Sequence, residues 1–198
     1  MKGVVLSGGH GTRLRPLTHT VSKHLIPIAN KPMIYYAIED LVNAGIKDIA
    51  IIVGHTEERI RDIKNAICDG SKFGAKITYI EQDAPRGIAH AIGLTENFVG
   101  NDKFVVYLGD NVLKGGIDSY VKDFQQSNFD ASILLVNHPS PERFGVAILE
   151  GDRLIGLVEK PKNPPSNFVM SGIYMFSPAV FDAIKTLKPS WRNEIEIT

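Results

Sequence analysis

Cysteine is almost absent: Cys68 stands alone in 198 residues, so no disulfide can close within the chain. Such usage fits a reducing compartment, and Cys68 itself reads as inert core. Long hydrophobic runs are missing too. No stretch approaches the roughly 18 apolar residues of a membrane span, and no basic segment followed by an apolar one opens the sequence, so neither membrane spanning nor secretion is indicated. A cytoplasmic protein is expected.

Net charge is also lacking, with 22 Lys and Arg against 22 Asp and Glu, so no overall field directs the chain to nucleic acid or to a membrane surface. Locally the balance fails. No acidic residue precedes Glu39, whereas Lys2, Arg13, Arg15, Lys23 and Lys31 all do. This positive stretch suits a compact polyanion such as a nucleotide.

What is present is a core-forming composition, 43% hydrophobic, at a length that suits one domain. Short β-rich runs recur in "GVVLS", "DIAIIVG", "KITYIEQ", "KFVVYLGD" and "ASILLVN", and helically spaced stretches separate them, the pattern of a parallel α/β sheet. In "KPMIYYAIEDLVNAGI", Pro32 suits a first turn, Met33, Ile34, Ala37, Ile38, Leu41 and Val42 form a stripe, and Gly45 suits the cap. The segment 56–68 offers Thr56 as an N-cap, early acids, and Ile60, Ile63 and Ile67 at turn spacing. Beyond about residue 138, "FGVAILEGDRLIGLVEKP" reads as a hairpin turning at Glu150, Gly151 and Asp152, which makes the sheet mixed. A proline-rich loop, "EKPKNPPSNF", precedes the run "FVMSGIYMF" and the helix-like "PAVFDAIKTLK". The final "PSWRNEIEIT" carries no capping or turn signal. One domain over residues 1–198, incomplete at its C-terminus, is the expectation.

Strand, glycine loop and helix is a layout shared by several phosphate-binding folds, and in "VVLSGGHGTRLRPLT" the spacing decides among them. A P-loop needs glycine five residues after Gly8, where Arg13 stands, and no Gly-Lys-Ser/Thr follows. A dinucleotide loop starting at Gly9 and Gly11 needs its third glycine where Leu14 stands. What remains is G-G-x-G-T-R-L-x-P, in which glycines admit phosphate oxygens to backbone N–H groups and an arginine fork can clamp them. Asp110 follows a buried apolar run, at the carboxyl end of a strand; there it could ligate Mg²⁺ or cap a helix, and spacing alone leaves both open. The six histidines show no metal-ligand spacing, and no Ser/His/Asp or Cys/His set stands out.

The chain resembles the sugar-phosphate nucleotidyltransferases. The likeness is carried, in family order, by "LSGGHGTRLRPLT", "SKHLIPIANKPMIYY", "YIEQDAPRGIAHAI", "YLGDN", "ERFGVA", "VEKP", "SGIYMF" and "NEIEIT". It implies an α/β, Rossmann-like three-layer nucleotidyltransferase fold with a mixed, mostly parallel central sheet. It implies transfer of a nucleotidyl group from dTTP to glucose 1-phosphate with Mg²⁺ as cofactor, and a longer family form with a further C-terminal region. Under that resemblance Leu6, Gly8, Gly9, Gly11, Thr12 and Gly109 belong to the nucleotide site, and Arg13 and Lys23 are catalytic, on the departing phosphates and on the α-phosphate. Gln82 offers a donor and an acceptor to thymine or uracil, with Gly87 leaving room for the base. Asp110 holds the metal together with a second aspartate beyond residue 198. Gly145, Glu159, Lys160 and Gly172 take the sugar phosphate; an exposed Glu159–Lys160 ion pair and two bulge glycines are the plainer alternatives.

Two other functions stay open. One keeps the chemistry and replaces dTTP by UTP. The other is a regulatory subunit that binds nucleotide sugars, against which Gly11, Arg13, Lys23 and Asp110 all stand. The expected partners are the two small substrates, with neither nucleic acid nor membrane involved and homo-oligomer formation allowed.

Overall fold

The computed structural model describes residues 1–9, 11–54, 56–151, 153–190 and 193–198. Among them the apolar runs become an eight-stranded sheet, and β2 (Pro27–Ile28) and β3 (Lys31–Pro32) form a separate short antiparallel ladder. Its first half is parallel: β5 (Lys76–Glu81), β4 (Asp48–Val53), β1 (Lys2–Ser7) and β6 (Phe104–Leu108) lie side by side in that order. β10 (Phe168–Phe176) then runs antiparallel to β6, and it pairs with β7 (Ala131–Asn137) and, at Val169, with β8 (Gly145–Glu150). The hairpin of β8 with β9 (Arg153–Glu159) closes the sheet, its Gly151 in the turn and Asp152 outside the described residues. β9 and β10 oppose the other six strands, so the sheet is mixed with most strands running one way, as expected.

Strand residues alternate between two cores, which is what a period of two demands of a sheet buried on both faces. Val5, Ile49, Ile51, Val105 and Tyr107 face one side. There they meet α1 (Met33–Asn43) through Ile34, Ile38 and Leu41, α2 (Glu57–Ile67) through Ile63 and Ile67, and α5 (Asp118–Gln126) through Val121 and Phe124. Val4, Leu6, Ala50, Ile52 and Val106 face the other side, against α3 (Ile88–Gly93), α4 (Glu96–Val99) and α6 (Ala179–Thr186) through Ile92, Val99 and Phe181. The result is three layers. Each fully buried Ile or Leu contributes about 1.5–3 kcal/mol of apolar transfer.

Helix ends behave as the sequence implies, with one correction. α1 follows Pro32 and closes at Gly45, whose N–H donates to Val42 while Ile46 N–H donates to Leu41. α2 starts after Thr56 with Glu57 and Glu58 in its first turn, although Thr56 makes no side-chain cap bond. Cys68 is exposed rather than core. It sits one residue beyond α2 at φ 58°, where the backbone reverses, so its side chain leaves the face that Ile63 and Ile67 bury.

Candidate active site

The carboxyl ends of β1 and β6 open onto a cleft of about 520 Å³, at the place where open α/β sheets bind ligands. β10 shapes it. Its ladder to β7 shifts between Met170 and Tyr174, and beyond that break it trades its pairing with β8 for one with β6. Gly172 stands in the break at φ 85°, and a Cβ there would lie 2.3 Å from Asn111 Nδ2 and 2.7 Å from Leu108 Cδ1, so only glycine fits. The freed edge brings Gly145, Asn111 and Gly172 to one wall of the cleft.

The opposite wall is the segment after β1, which winds through 3-10 turns over Thr12–Leu14, Leu17–His19 and Lys23–Leu25. Thr18 Oγ1 donates to the Gly11 carbonyl at 2.7 Å, folding this segment back on itself. His24 anchors it. Its ring is only 1% exposed, lies against Gly109, and has Ser22 Oγ 3.3 Å from Nδ1. With His24 fixed, the neighbouring Lys23 reaches Asp110, and Nζ and Oδ2 pair at 2.5 Å. Lys23 is 18% and Asp110 33% exposed, so the pair faces the cleft.

Charge at this point is finely set. Burial pushes the Asp110 carboxyl up, but the Lys23 charge and hydrogen bond outweigh it and hold the group below the ordinary carboxylate range. Burial, followed by Lys23, drives the His24 imidazole down to about 3, against the opposing pull of Asp110. A carboxylate kept ionised at a strand end is of the chemical type that can hold a hard divalent cation, and a lysine beside it of the type that can pair with phosphate.

Leu6, Gly8, Gly9, Arg13, Gln82 and Gly87 line the same cleft, as do Glu159 and Lys160. The last two pair with each other at 2.8 Å and are about one-quarter and one-third exposed, so they form a cleft-wall pair rather than a fully solvated one. Gly11, Thr12 and Gly109 do not reach the lining. Gly11 packs on Thr18 and Lys23 and Gly109 on Leu6 and His24, so these two back the walls, whereas Thr12 heads an exposed turn.

Two assignments change in detail. Gln82 does not offer donor and acceptor together, because its Nε2 lies 3.0 Å from His90 Nδ1 and 3.5 Å from the Gly87 carbonyl. Nor does Gly87 leave open room. At φ 102° it lies under the backbone of Ile195, whose oxygen would stand 2.4 Å from a Cβ. Ile195 N–H donates to Arg86 and its carbonyl accepts from Ala89, which seats residues 193–198 on the cleft rim with Glu194 and Glu196 in the lining. Gly87→Ala is therefore expected to unseat this segment and cost about 1–3 kcal/mol through backbone strain alone. Urea unfolding measures it, and an unchanged midpoint would mean that Ile195 does not occupy this position in solution.

Four contributors are given no role by the sequence reading: His24, His90, the C-terminal segment, and Arg59 of α2, whose Nη1 donates to the Gly9 carbonyl at 3.2 Å. Each acts through a contact that the linear pattern does not encode.

A phosphate-type loop, a strand-end aspartate paired to a lysine, and a second ion pair across one cleft define a nucleotide-handling α/β protein, and the chain belongs to the nucleotidyl transferase family, whose model matches residues 2–198. It is 52% identical to a low-salt glycan biosynthesis nucleotidyltransferase of Haloferax volcanii and 48% identical to a glucose-1-phosphate thymidylyltransferase of Streptomyces antibioticus, in each case over 100% of this chain and 55% of the relative. The chain thus spans about half the length of these curated relatives. Among solved structures, a Bacillus anthracis protein described as a glucose-1-phosphate thymidylyltransferase, in complex with a sucrose, superposes with a TM-score of 0.93 at 46% identity, covering 100% of this chain and 80% of that one. A UDP-glucose pyrophosphorylase complexed with UDP-glucose gives 0.86 at 27% identity, covering 100% and 83%. No helix among the described residues is long and apolar enough to cross a membrane.

Proposed function

We propose that this chain carries the nucleotide and sugar-phosphate site of a glucose-1-phosphate thymidylyltransferase, which transfers a thymidylyl group from dTTP to glucose 1-phosphate and releases pyrophosphate. One observation carries the reading: a single cleft presents the Gly8–Gly9 loop with Lys23 and Asp110, and, from the end of β9, the Glu159–Lys160 pair. Two phosphate-bearing substrates suit a cleft that offers two separate cationic groups.

The sugar phosphate arrives as its own nucleophile. A monoester with a second pKa of about 6 is largely dianionic at neutral pH, so no general base is required. Its oxygen attacks the α-phosphorus in line, the bond to the bridging oxygen breaks, and pyrophosphate leaves with that electron pair. Lys160 holds the attacking phosphate and Glu159 accepts from sugar hydroxyls. Lys23 neutralises charge at the α-phosphate, and Arg13, on the exposed turn beside the loop, takes the departing phosphates. Asp110 fits a hard divalent cation, because its oxygens are held ionised, and Mg²⁺ uses one or two carboxylates together with substrate phosphates. When bound, Mg²⁺ supplies further neutralisation of the triphosphate. The protein works in the cytoplasm under this reading, and its substrates are its partners.

UTP is the second reading, favoured by the likeness to the UDP-glucose pyrophosphorylase. Pyrophosphate release over a grid of nucleoside triphosphates and sugar 1-phosphates, with Mg²⁺ and with chelator, tests both. Release with dTTP and glucose 1-phosphate that chelator abolishes is expected; preference for a purine triphosphate would remove both readings.

A further inference from the structure

We infer that His90 is a positioning residue that fixes the orientation of the Gln82 amide, and so makes the pocket select pyrimidines with a protonated N3, thymine or uracil, over cytosine. The inference rests on the pyrimidine reading proposed above and adds the device that enforces it.

Gln82 is 6% exposed, directly after β5, with its backbone N–H bonded to Val53. A primary amide so buried has to satisfy its donors within the protein. Its Nε2 lies 3.0 Å from His90 Nδ1 and, at a longer 3.5 Å, from the Gly87 carbonyl. A carbonyl oxygen only accepts, so this contact favours the nitrogen end of the amide on the Gly87 side. His90 Nδ1 on the same side then serves as the second acceptor, with the ring proton on Nε2. Two acceptors on one NH₂ group leave the amide a single orientation.

The consequence falls on the other end of the amide. Gln82 Oε1 points toward the phosphate loop, 3.6 Å from where a Cβ on Gly8 would be, and both residues line the cleft. A base seated beside Gln82 therefore meets a fixed acceptor. Thymine and uracil answer it with N3–H. Cytosine brings an unprotonated N3, and two lone pairs then face each other. A site built around one hydrogen-bond polarity rejects the opposite polarity far more strongly than it rejects a change in size.

His90 is well placed for the task because the fold holds its helix. It belongs to α3, whose Ala89, Ala91 and Ile92 are buried and whose Ala89 N–H is tied to Ile195. Without it, Nε2 keeps only the longer contact with Gly87, and the amide can turn to present its N–H groups to the base.

Calorimetric titration of dTTP, dCTP and dATP into the 198-residue chain tests this without relying on turnover. Wild type is expected to prefer dTTP. His90→Leu should lower the dTTP-to-dCTP affinity ratio by roughly tenfold or more, the worth of one reversed hydrogen bond. His90→Asn places an amide oxygen near the position of Nδ1, and should restore the ratio. A His90→Leu ratio equal to wild type, or an equal loss of ratio in both variants, overturns the role of His90 while leaving the pyrimidine reading in place. Wild-type preference for dATP overturns that reading and this inference together.

Discussion

Asp110→Asn and Lys23→Met are each expected to lower pyrophosphate release by about 10²–10³-fold, the usual loss when one preorganised charge is withdrawn from a phosphoryl-type transition state. The assay applies to this chain and, where it is part of a longer protein, to that protein. The two residues form one ion pair, so stability and catalysis have to be separated. Truncating either partner leaves the other charge half-buried and uncompensated, a stability cost that the double variant Lys23→Met/Asp110→Asn removes. Turnover should not recover with it, because both the phosphate cation and the metal carboxylate are then gone. Near-normal release by either single variant would remove the proposed mechanism, and recovery in the double variant would reduce the pair to a structural bridge.

The fold was legible because its determinants are local and repetitive. Val4 and Leu6 face one core and Val5 the other, and the same alternation in β4 and β6 requires helices on both sides. The site was legible in a different way. Nothing in the spacing of Lys23, Gln82 or Glu159 demands that they meet; the resemblance of whole segments supplied that, and the cleft gathers them. What stayed hidden depends on contacts distant in sequence. Arg59 reaches Gly9 across 50 residues, and Ile195 fills the space over Gly87, which a linear reading left open for the base. Cys68 departs from the core for a smaller reason: the apolar spacing of α2 runs up to Ile67, and only the positive φ at the next residue turns the side chain outward.

His24 yields the second large effect, a loss of stability on mild acidification. Its imidazole is buried with Nε2 unpartnered among the described residues, so protonation would place an unpaired cation beside Lys23. The folded-state pKa is about 3, against about 6.5 for a free histidine. Between those values the unfolded chain binds one more proton at this site than the folded chain, so stability falls as pH falls, by up to about 1.4 kcal/mol per unit. Asp110 acts with the same sign but lower down, since a depressed carboxylate costs stability only below its unfolded pKa of about 3.9. In the window from pH 6.5 to 4.5 His24 should account for a loss of about 2–3 kcal/mol, opposed in part by Asp40, whose carboxyl is raised by burial and therefore acts with the opposite sign. Urea unfolding across that window reads the slope directly. His24→Asn keeps a polar partner for Ser22 and cannot take up a proton; whatever it costs in packing, it should lack this share of the slope, and an unchanged slope would show that His24 is not buried uncharged. The same neutrality serves the site. A charged ring at this position would repel Lys23 from the end of β6, so the burial that makes the fold acid-sensitive is also what keeps the lysine within reach of Asp110.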